Sequence, residues 1–419
     1  MQCIHRITKL TVVFSCCTLF CTAQSRYNFV YEKQLGQHYA AEYFNAQFHL
    51  IDYADSLLLP KRVLPLETRG AKLVNPLYRL TKLFLTNYLI TDYAMTMSHE
   101  RFGHGYRGIE SGGGIREIKY NLPPPFTNQF SYISLYPPPE STPQQALMVN
   151  LGGSETNLVL TDVMRKNILL DQRFNYTYTL AYLYGSNDMP GYTAFVTNPN
   201  SDPNRYRNNL NEFYGTTGDE PLTLERMRRL SFAALFTDPL NFYALKSVFY
   251  DYIIRGKHSS HVGMIPIGER LKFLPRFRFE YTPYGPELVY QGYFKMERKL
   301  MQFSFSHNDQ ALPDSWRLSA NIWNITCGNT FSFNVSTQLW DQPEITVYNR
   351  DGLQRYGGVG GLLLVTSNWD FDKHHHLFGL TLQLGYKTGG YALGEKLDEG
   401  LLGRVGFTFK LGGNTSQMN

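Results

Sequence analysis

The sequence predicts an α+β fold: a mainly helical N-terminal domain followed by an antiparallel β-barrel of about eight strands. Three observations lead there. Apolar residues over 24–270 recur mostly with helical spacing. From about residue 271 the period changes to two. Aromatic residues make up 15% of the chain, with 30 Tyr and 28 Phe, an excess that suits strands and the interfacial girdles of membrane barrels.

Residues 1–23 read as a signal peptide. Arg6 and Lys9 come before or at the start of an apolar run, Leu10 to Phe20, and Cys21-Thr22-Ala23 supplies a small-x-small cleavage site before Gln24. The run is too short to span a bilayer, and Phe14 fits a lipoprotein signal at Cys16 poorly. Of the five cysteines only Cys327 lies beyond this segment, which excludes an internal disulfide and a disulfide-built extracellular module. A bacterial envelope protein fits this pattern. Tripeptides of the N-glycosylation type at Asn175, Asn324, Asn334 and Asn414 keep a eukaryotic secreted protein open. The formal charge is only +5 with no basic cluster, so nucleic acid is not an expected partner.

In the helical part, residues 39–59 have helix-forming composition, and Pro76 opens a longer segment over 77–102 that is apolar nearly all round, the mark of a buried helix. A further helix is expected over 154–170, with Ser154 as its N-cap. Two more run over 222–236 and 241–254, separated by Asp238-Pro239. The proline runs 123–125 and 137–139 break the chain, and 198–219, rich in Asn, Pro, Gly and Asp, reads as a long loop.

Eight strand candidates follow, around 276–281, 288–296, 303–305, 316–322, 331–339, 357–365, 380–387 and 405–411. Leu380, Leu382 and Leu384 opposing Thr381 and Gln383 typify the alternation. It suits a transmembrane barrel, apolar outside and polar inside, and equally a soluble sheet with one wet face; the signal peptide, the aromatic excess and the single cysteine favour the barrel. The expected organisation is a signal peptide over 1–23, a helical domain over 24–270 on the periplasmic side, and a barrel over 271–413 in contact with outer-membrane lipid of a bacterial cell.

The chemistry is carried by Met97-Ser98-His99-Glu100-Arg101-Phe102-Gly103-His104. It is similar to the zinc-protease helix, in which two histidines hold zinc and a glutamate activates water. There the histidines are four residues apart, about 40° around a helix; here they are five apart, about 140°, and on a regular helix could not share an ion. A one-residue π-bulge would return them to one face, and Gly103 is the residue most easily accommodated in such a turn or in a helix end.

His99-Glu100-Arg101-Phe102-Gly103-His104 resembles the HExxGH hexapeptide of the dipeptidyl peptidase III family. The resemblance covers these six residues and no more. It implies that His99 and His104 bind zinc, that Glu100 is the general base, and that a glutamate on a later helix completes the site. The candidate for that third ligand is Glu155, in Gly152-Gly153-Ser154-Glu155, although an acid near a helix start is also favoured by the macrodipole alone. Asp162 would then orient a ligating histidine. Tyr106 is one of several tyrosines that could donate to a developing oxyanion; His258-Ser259-Ser260-His261 reads as a polar loop leading to the barrel, with one imidazole near the site as the alternative, and His374-His375-His376 reads as an exposed hairpin loop.

The expected function is a zinc-dependent hydrolase, a peptidase acting on peptides or envelope proteins, in which Glu100 takes a proton from the attacking water and returns it to the leaving amine. Hydrolysis of lipid or cell-wall amides by the same site is a variant of this. The competing expectation is a non-enzymatic outer-membrane assembly or scaffold component with a vestigial or structural metal site.

Overall fold

The computed structural model describes residues 26–138, 140–215, 221–308, 312–328, 330–349, 352–371 and 378–410. The expected signal peptide and His374–His376 lie outside these residues.

The chain begins with strand β1 (Tyr27–Tyr31) and helix α1 (Gln37–Leu58). One continuous helix, α2, covers residues 71–110, and two stretches of it, Leu83–Tyr88 and Ser98–His104, are wound as π-helix. The hairpin β2 (Gly114–Lys119) and β3 (Tyr132–Tyr136) leads to α3 (Pro143–Asp171). Then come β4 (Arg173–Asn175), α4 (Tyr176–Phe195), α5 (Asp202–Tyr214), α6 (Leu224–Thr237), α7 (residues 239–254), β5 (Ser259–His261) and β6 (Ile265–Ile267). Eight long strands finish the described chain: β7 (Leu271–Thr282), β8 (Gly285–Met296), β9 (Lys299–Asn308), β10 (Trp316–Cys327), β11 (Phe331–Asn349), β12 (Gly352–Asp370), β13 (Phe378–Lys387) and β14 (Gly400–Phe409).

Local sequence sets several of these boundaries. Thr142 and Gln145 form a reciprocal capping box that starts α3 at Pro143. The expected cap Ser154 is therefore in mid-helix, because the upstream box is the stronger start signal. Asp238 accepts from the Leu240 amide at 3.1 Å and, with Pro239 behind it, starts α7 as expected. Helix α5 occupies part of the segment read as a loop. Its composition is polar, but Ser201-Asp202-Pro203 is a helix-start signature, and Tyr206 and Leu210 are fully buried.

The long strands form an antiparallel meander. The full ten-stranded order is β1-β14-β13-β12-β11-β10-β9-β8-β7-β6. All eight expected strands are present, and the fold is mixed α+β. The closed eight-strand barrel is not: among the described residues the sheet has two free edges, β1 and β6. Near these edges α1 packs on β1, and α6 packs on β7, the neighbour of β6. The sheet nevertheless curls. One cavity of about 190 Å³ is touched by Asn28 of β1, by Arg278, Gln302, Arg317, Thr366 and Gln383 around the sheet, and by Glu42 and Asp162 of α1 and α3.

The polarity of this sheet is reversed from that of a sheet in water. Arg276, Arg278, Glu280, Glu287, Arg317 and Arg404 are buried on the concave face against α1 and α3. The outward side chains are apolar and exposed, Leu384 at 56% and Phe407 at 62% among them. The inward charges are paired. Asp162 accepts from Arg276 at 2.9 Å and Arg278 at 2.7 Å, so its expected role beside a metal-bound histidine is not available to it. Arg317 bridges Glu280, at 2.5 Å, and Glu287. Lys295 donates to the carbonyls of Leu169 (3.0 Å) and Leu170, capping the negative end of α3. No helix among the described residues is long and apolar enough to cross a membrane.

Removing one member of a buried charge cluster strands the others, at about 3–5 kcal/mol. Arg317→Leu should therefore lower unfolding stability by that order in detergent solution, and replacing Arg317, Glu280 and Glu287 together by leucine should recover most of it. Denaturant unfolding followed by circular dichroism checks both.

Candidate metal centre

The centre begins with the π-turn of α2. Over Ser98–His104 the backbone bonds i to i+5 instead of i to i+4, which returns residue i+5 to the face of residue i. His99 and His104 therefore lie on one face, as the spacing required. Their Nε2 atoms are 3.2 Å apart and their ring planes are 77° to one another.

Glycine makes this turn possible against its neighbour. A Cβ on Gly103 would stand 2.5 Å from the Gly152 carbonyl oxygen, and one on Gly153 would stand 2.4 Å from His99 Nε2 and 2.6 Å from His104 Nε2. Helix α3 thus presses its bare backbone against the two imidazoles. The Gly152-Gly153 pair belongs to the site, as its floor.

Glu155 does not. Its Oε1 accepts from Arg107 Nη2 at 2.5 Å and from the Gly394 amide at 2.9 Å, and its Oε2 accepts from Gln37 and Arg107 Nε at 2.9 Å each. All of its strong acceptor positions are engaged in a buried clamp joining α1, α2, α3 and the β13–β14 connection. The expected third ligand is thereby corrected: a glutamate two positions past the glycine floor points away from the histidines, toward Arg107.

The carboxylate that reaches the histidines is Asp202, in the first turn of α5. Its Oδ2 is 3.4 Å from both Nε2 atoms, and His99, His104 and Asp202 form a group able to hold a metal ion. Metal bonds of about 2.0–2.1 Å at tetrahedral angles put neighbouring donors about 3.3–3.4 Å apart. The three separations, 3.2, 3.4 and 3.4 Å, match. Of the far ring nitrogens, His104 Nδ1 donates to the Val149 carbonyl at 2.6 Å, and His99 Nδ1 lies at ion-pair distance, 3.4 Å, from Asp188 Oδ2. Fixing Nδ1 leaves Nε2 as the donor atom for a metal, the usual support of a ligating histidine. Asp188, on α4, does what was expected of Asp162.

The electrostatics agree. Burial alone would lower the pKa of His99, but Asp188, Asp202 and Glu100 raise it well above the usual histidine value. Burial is likewise overcome at His104, chiefly by Asp202. Burial would raise the Asp202 carboxyl, yet the two imidazoles hold it far below the carboxylate range.

The donors open on a cleft of about 840 Å³, which Glu100, Asn157, Tyr192 and Arg205 also line. Glu100 is partly exposed there. Asn157 of α3 is buried, and neither of its side-chain amide atoms has a hydrogen-bond partner among the described residues. Tyr106 is buried beside Gly36, outside the cleft. His258 Nε2 lies 3.3 Å from Asp52, also away from it. No family model, curated protein or solved structure matches this chain.

Two predictions follow from the floor and the supports. Gly153→Ala should leave the helix content intact while abolishing tight metal binding, because the new methyl occupies the space between the imidazoles; Asp188→Asn should weaken binding by about 10- to 100-fold. Isothermal titration with zinc reads both. The raised histidine pKa values also set a pH dependence. Metal must displace protons that persist above pH 6.5, the usual histidine value, so the apparent affinity should drop by at least about tenfold per unit as pH falls from about 8 to 6. A flat profile would rule out the imidazoles as ligands.

Proposed function

We propose that this chain is a zinc-dependent hydrolase of amide bonds, of the peptidase type, seated in the bacterial outer membrane. The observation that carries the reading is the triangle of His99 Nε2, His104 Nε2 and Asp202 Oδ2 at tetrahedral donor separations, opening on a cleft that Glu100 shares. Two imidazoles and a carboxylate are ordinary zinc donors, and three protein ligands beside an open cleft suit a catalytic site better than a closed structural one. The likeness of residues 99–104 to the dipeptidyl peptidase III hexapeptide supports the same reading.

A bound divalent ion would polarise the scissile carbonyl and make the attacking water more acidic. Glu100 accepts the proton of that water and delivers it to the leaving nitrogen; the water oxygen ends on the acyl carbon and the C–N bond breaks. Tyr192 keeps its proton because burial raises its pKa, and it offers a donor to the developing oxyanion. Asn157, with an unengaged donor and acceptor, binds the amide backbone of the substrate.

The membrane seat is supported by the reversed sheet. Apolar outside and polar inside is the pattern of an outer-membrane wall. In this reading the helices packed near the two sheet edges complete the wall that barrel strands would otherwise close.

Glu100→Gln should retain one equivalent of zinc and lose about 10²- to 10⁴-fold in the rate of cleavage of a mixed peptide library read by mass spectrometry. A zinc-loaded Gln variant with full activity would reject Glu100 as the base. For the membrane seat, carbonate washing should leave the chain in the outer-membrane fraction; release into the wash would point to an ordinary soluble sheet.

A further inference from the structure

We infer that the metal cleft draws its substrate from the lipid phase, and that the substrate is an amphiphile carrying a long acyl chain beside the hydrolysable amide. This rests on the hydrolase reading above and narrows its substrate class.

The first observation is that α2 is inside-out. Its buried face carries Asn75, Arg79, Lys82, Asn87 and Asp92, while Leu73, Leu77, Leu80, Phe84 and Ile90 are exposed. The buried polar groups are matched: Lys82 pairs with Asp55 at 2.8 Å, Arg79 Nε donates to the Ile253 carbonyl at 2.8 Å, and Asp92 accepts from Tyr184 at 2.8 Å. A surface helix in water turns these faces the other way. Helix α7, held to α2 through Arg79, also exposes Phe242, Leu245, Phe249 and Ile254. Helices α6 and α7 in turn pack on β7. Exposed apolar side chains thus occur on the outward face of the sheet, on α7 and on α2. The same inversion in a sheet and in a helix suits a molecule surrounded by acyl chains.

The second observation places the cleft mouth on that surface. The connection between β2 and β3 lies on α2: Phe126 stacks on Phe84 at 5.5 Å, and Tyr88 donates to the Pro124 carbonyl at 3.3 Å. Leu122 and Phe130 of the same connection line the metal cleft, and Phe130 is 78% exposed. An apolar path thus leads from the lipid-facing side of α2 to the mouth, with the polar donors at the floor. An acyl chain fits the mouth and an amide fits the floor.

The test uses zinc-loaded protein reconstituted in vesicles of phosphatidylethanolamine and phosphatidylglycerol. In a Cys327→Ser background, a fluorophore is placed at Phe126→Cys or, on the outward face of the sheet, at Leu382→Cys. Nitroxide on the lipid acyl chains should quench both. Quenching at the sheet position alone, with iodide quenching at position 126, overturns the inference; failure of lipid quenching at both positions overturns the membrane seat with it. In parallel, N-palmitoyl and N-acetyl forms of one peptide are compared. The palmitoyl form should show kcat/KM higher by about tenfold or more, since remote apolar contacts are spent on the reaction, and Phe130→Ser should pull the ratio toward one. Equal rates overturn the substrate assignment and leave the hydrolase standing. Cleavage of neither form overturns the hydrolase, while the quenching result still decides whether the mouth meets lipid.

Discussion

The close approach of α2 and α3 at Gly103, Gly152 and Gly153 is the contact on which the rest is hung. With no side chain on either surface, the two backbones meet where a Cβ would find only about 2.5 Å of room. That contact holds the π-turn against a flat floor and so fixes the relative position of His99 and His104. One turn further along α2, Arg107 reaches Glu155 on α3 and locks the same crossing through a buried ion pair. Helix α3 then continues into the concavity of the sheet, where Asp162 meets Arg276 and Arg278 and its last carbonyls meet Lys295. Helix α3 thus carries the glycine floor in its middle and meets the sheet at both ends, through Gln144 and Gln145 on β11 and through Lys295.

Turning charge inward has a cost that the sequence meets by pairing. A buried ion without a partner loses several kcal/mol of hydration, and low-dielectric attraction offsets this only when geometry is good and remaining polar atoms are hydrogen-bonded. The Glu287 carboxylate illustrates the solution, accepting from Ser306 at 2.7 Å and Tyr284 at 3.0 Å besides Arg317. In return the outward face is free to be wholly apolar. Specificity is gained as well, because a one-residue slip of any strand would exchange paired arginines for outward leucines.

Much of this was legible in the sequence, for identifiable reasons. Period-two alternation depends only on which face a side chain takes, so the eight strands β7–β14 were visible. The hexapeptide's odd spacing left a π-bulge or a helix end at Gly103 as ways to bring the histidines together, and the structure has the π-turn. What sequence alone missed was long-range. Closure of a sheet is not written in any strand, and neither the addition of β1 to β14 nor the packing of helices near the sheet edges has a local signal. Glu155 was chosen because it follows the glycine pair by two residues, but which way a helical carboxylate points depends on its partners, here Arg107 and Gln37. Asp202 was hidden in a segment whose polar composition outweighed its Ser201-Asp202-Pro203 start signal. Helix α2 looked like a buried helix because apolar residues lie on several of its faces; in fact many of them, such as Leu73, Leu77 and Phe84, are exposed, while Asn75, Arg79, Lys82, Asn87 and Asp92 are buried beside Leu83 and Met95.

That last inversion also explains how the site is held. The donors of the candidate centre come from two sources: the histidines are fixed by the α2–α3 crossing, while Asp202 stands in the first turn of α5, which packs on α3 and buries Tyr206 against Tyr281, its hydroxyl donating to the Thr282 carbonyl at 2.8 Å. Beside the two imidazoles the Asp202 carboxyl is held far below the usual carboxylate range. A divalent ion held by all three groups would add directional bonds between α5 and the α2–α3 crossing. Ligand binding to the folded form stabilises by mass action. On the proposed reading, the α2–α3 crossing would supply two donors of a metal centre and α5 the third.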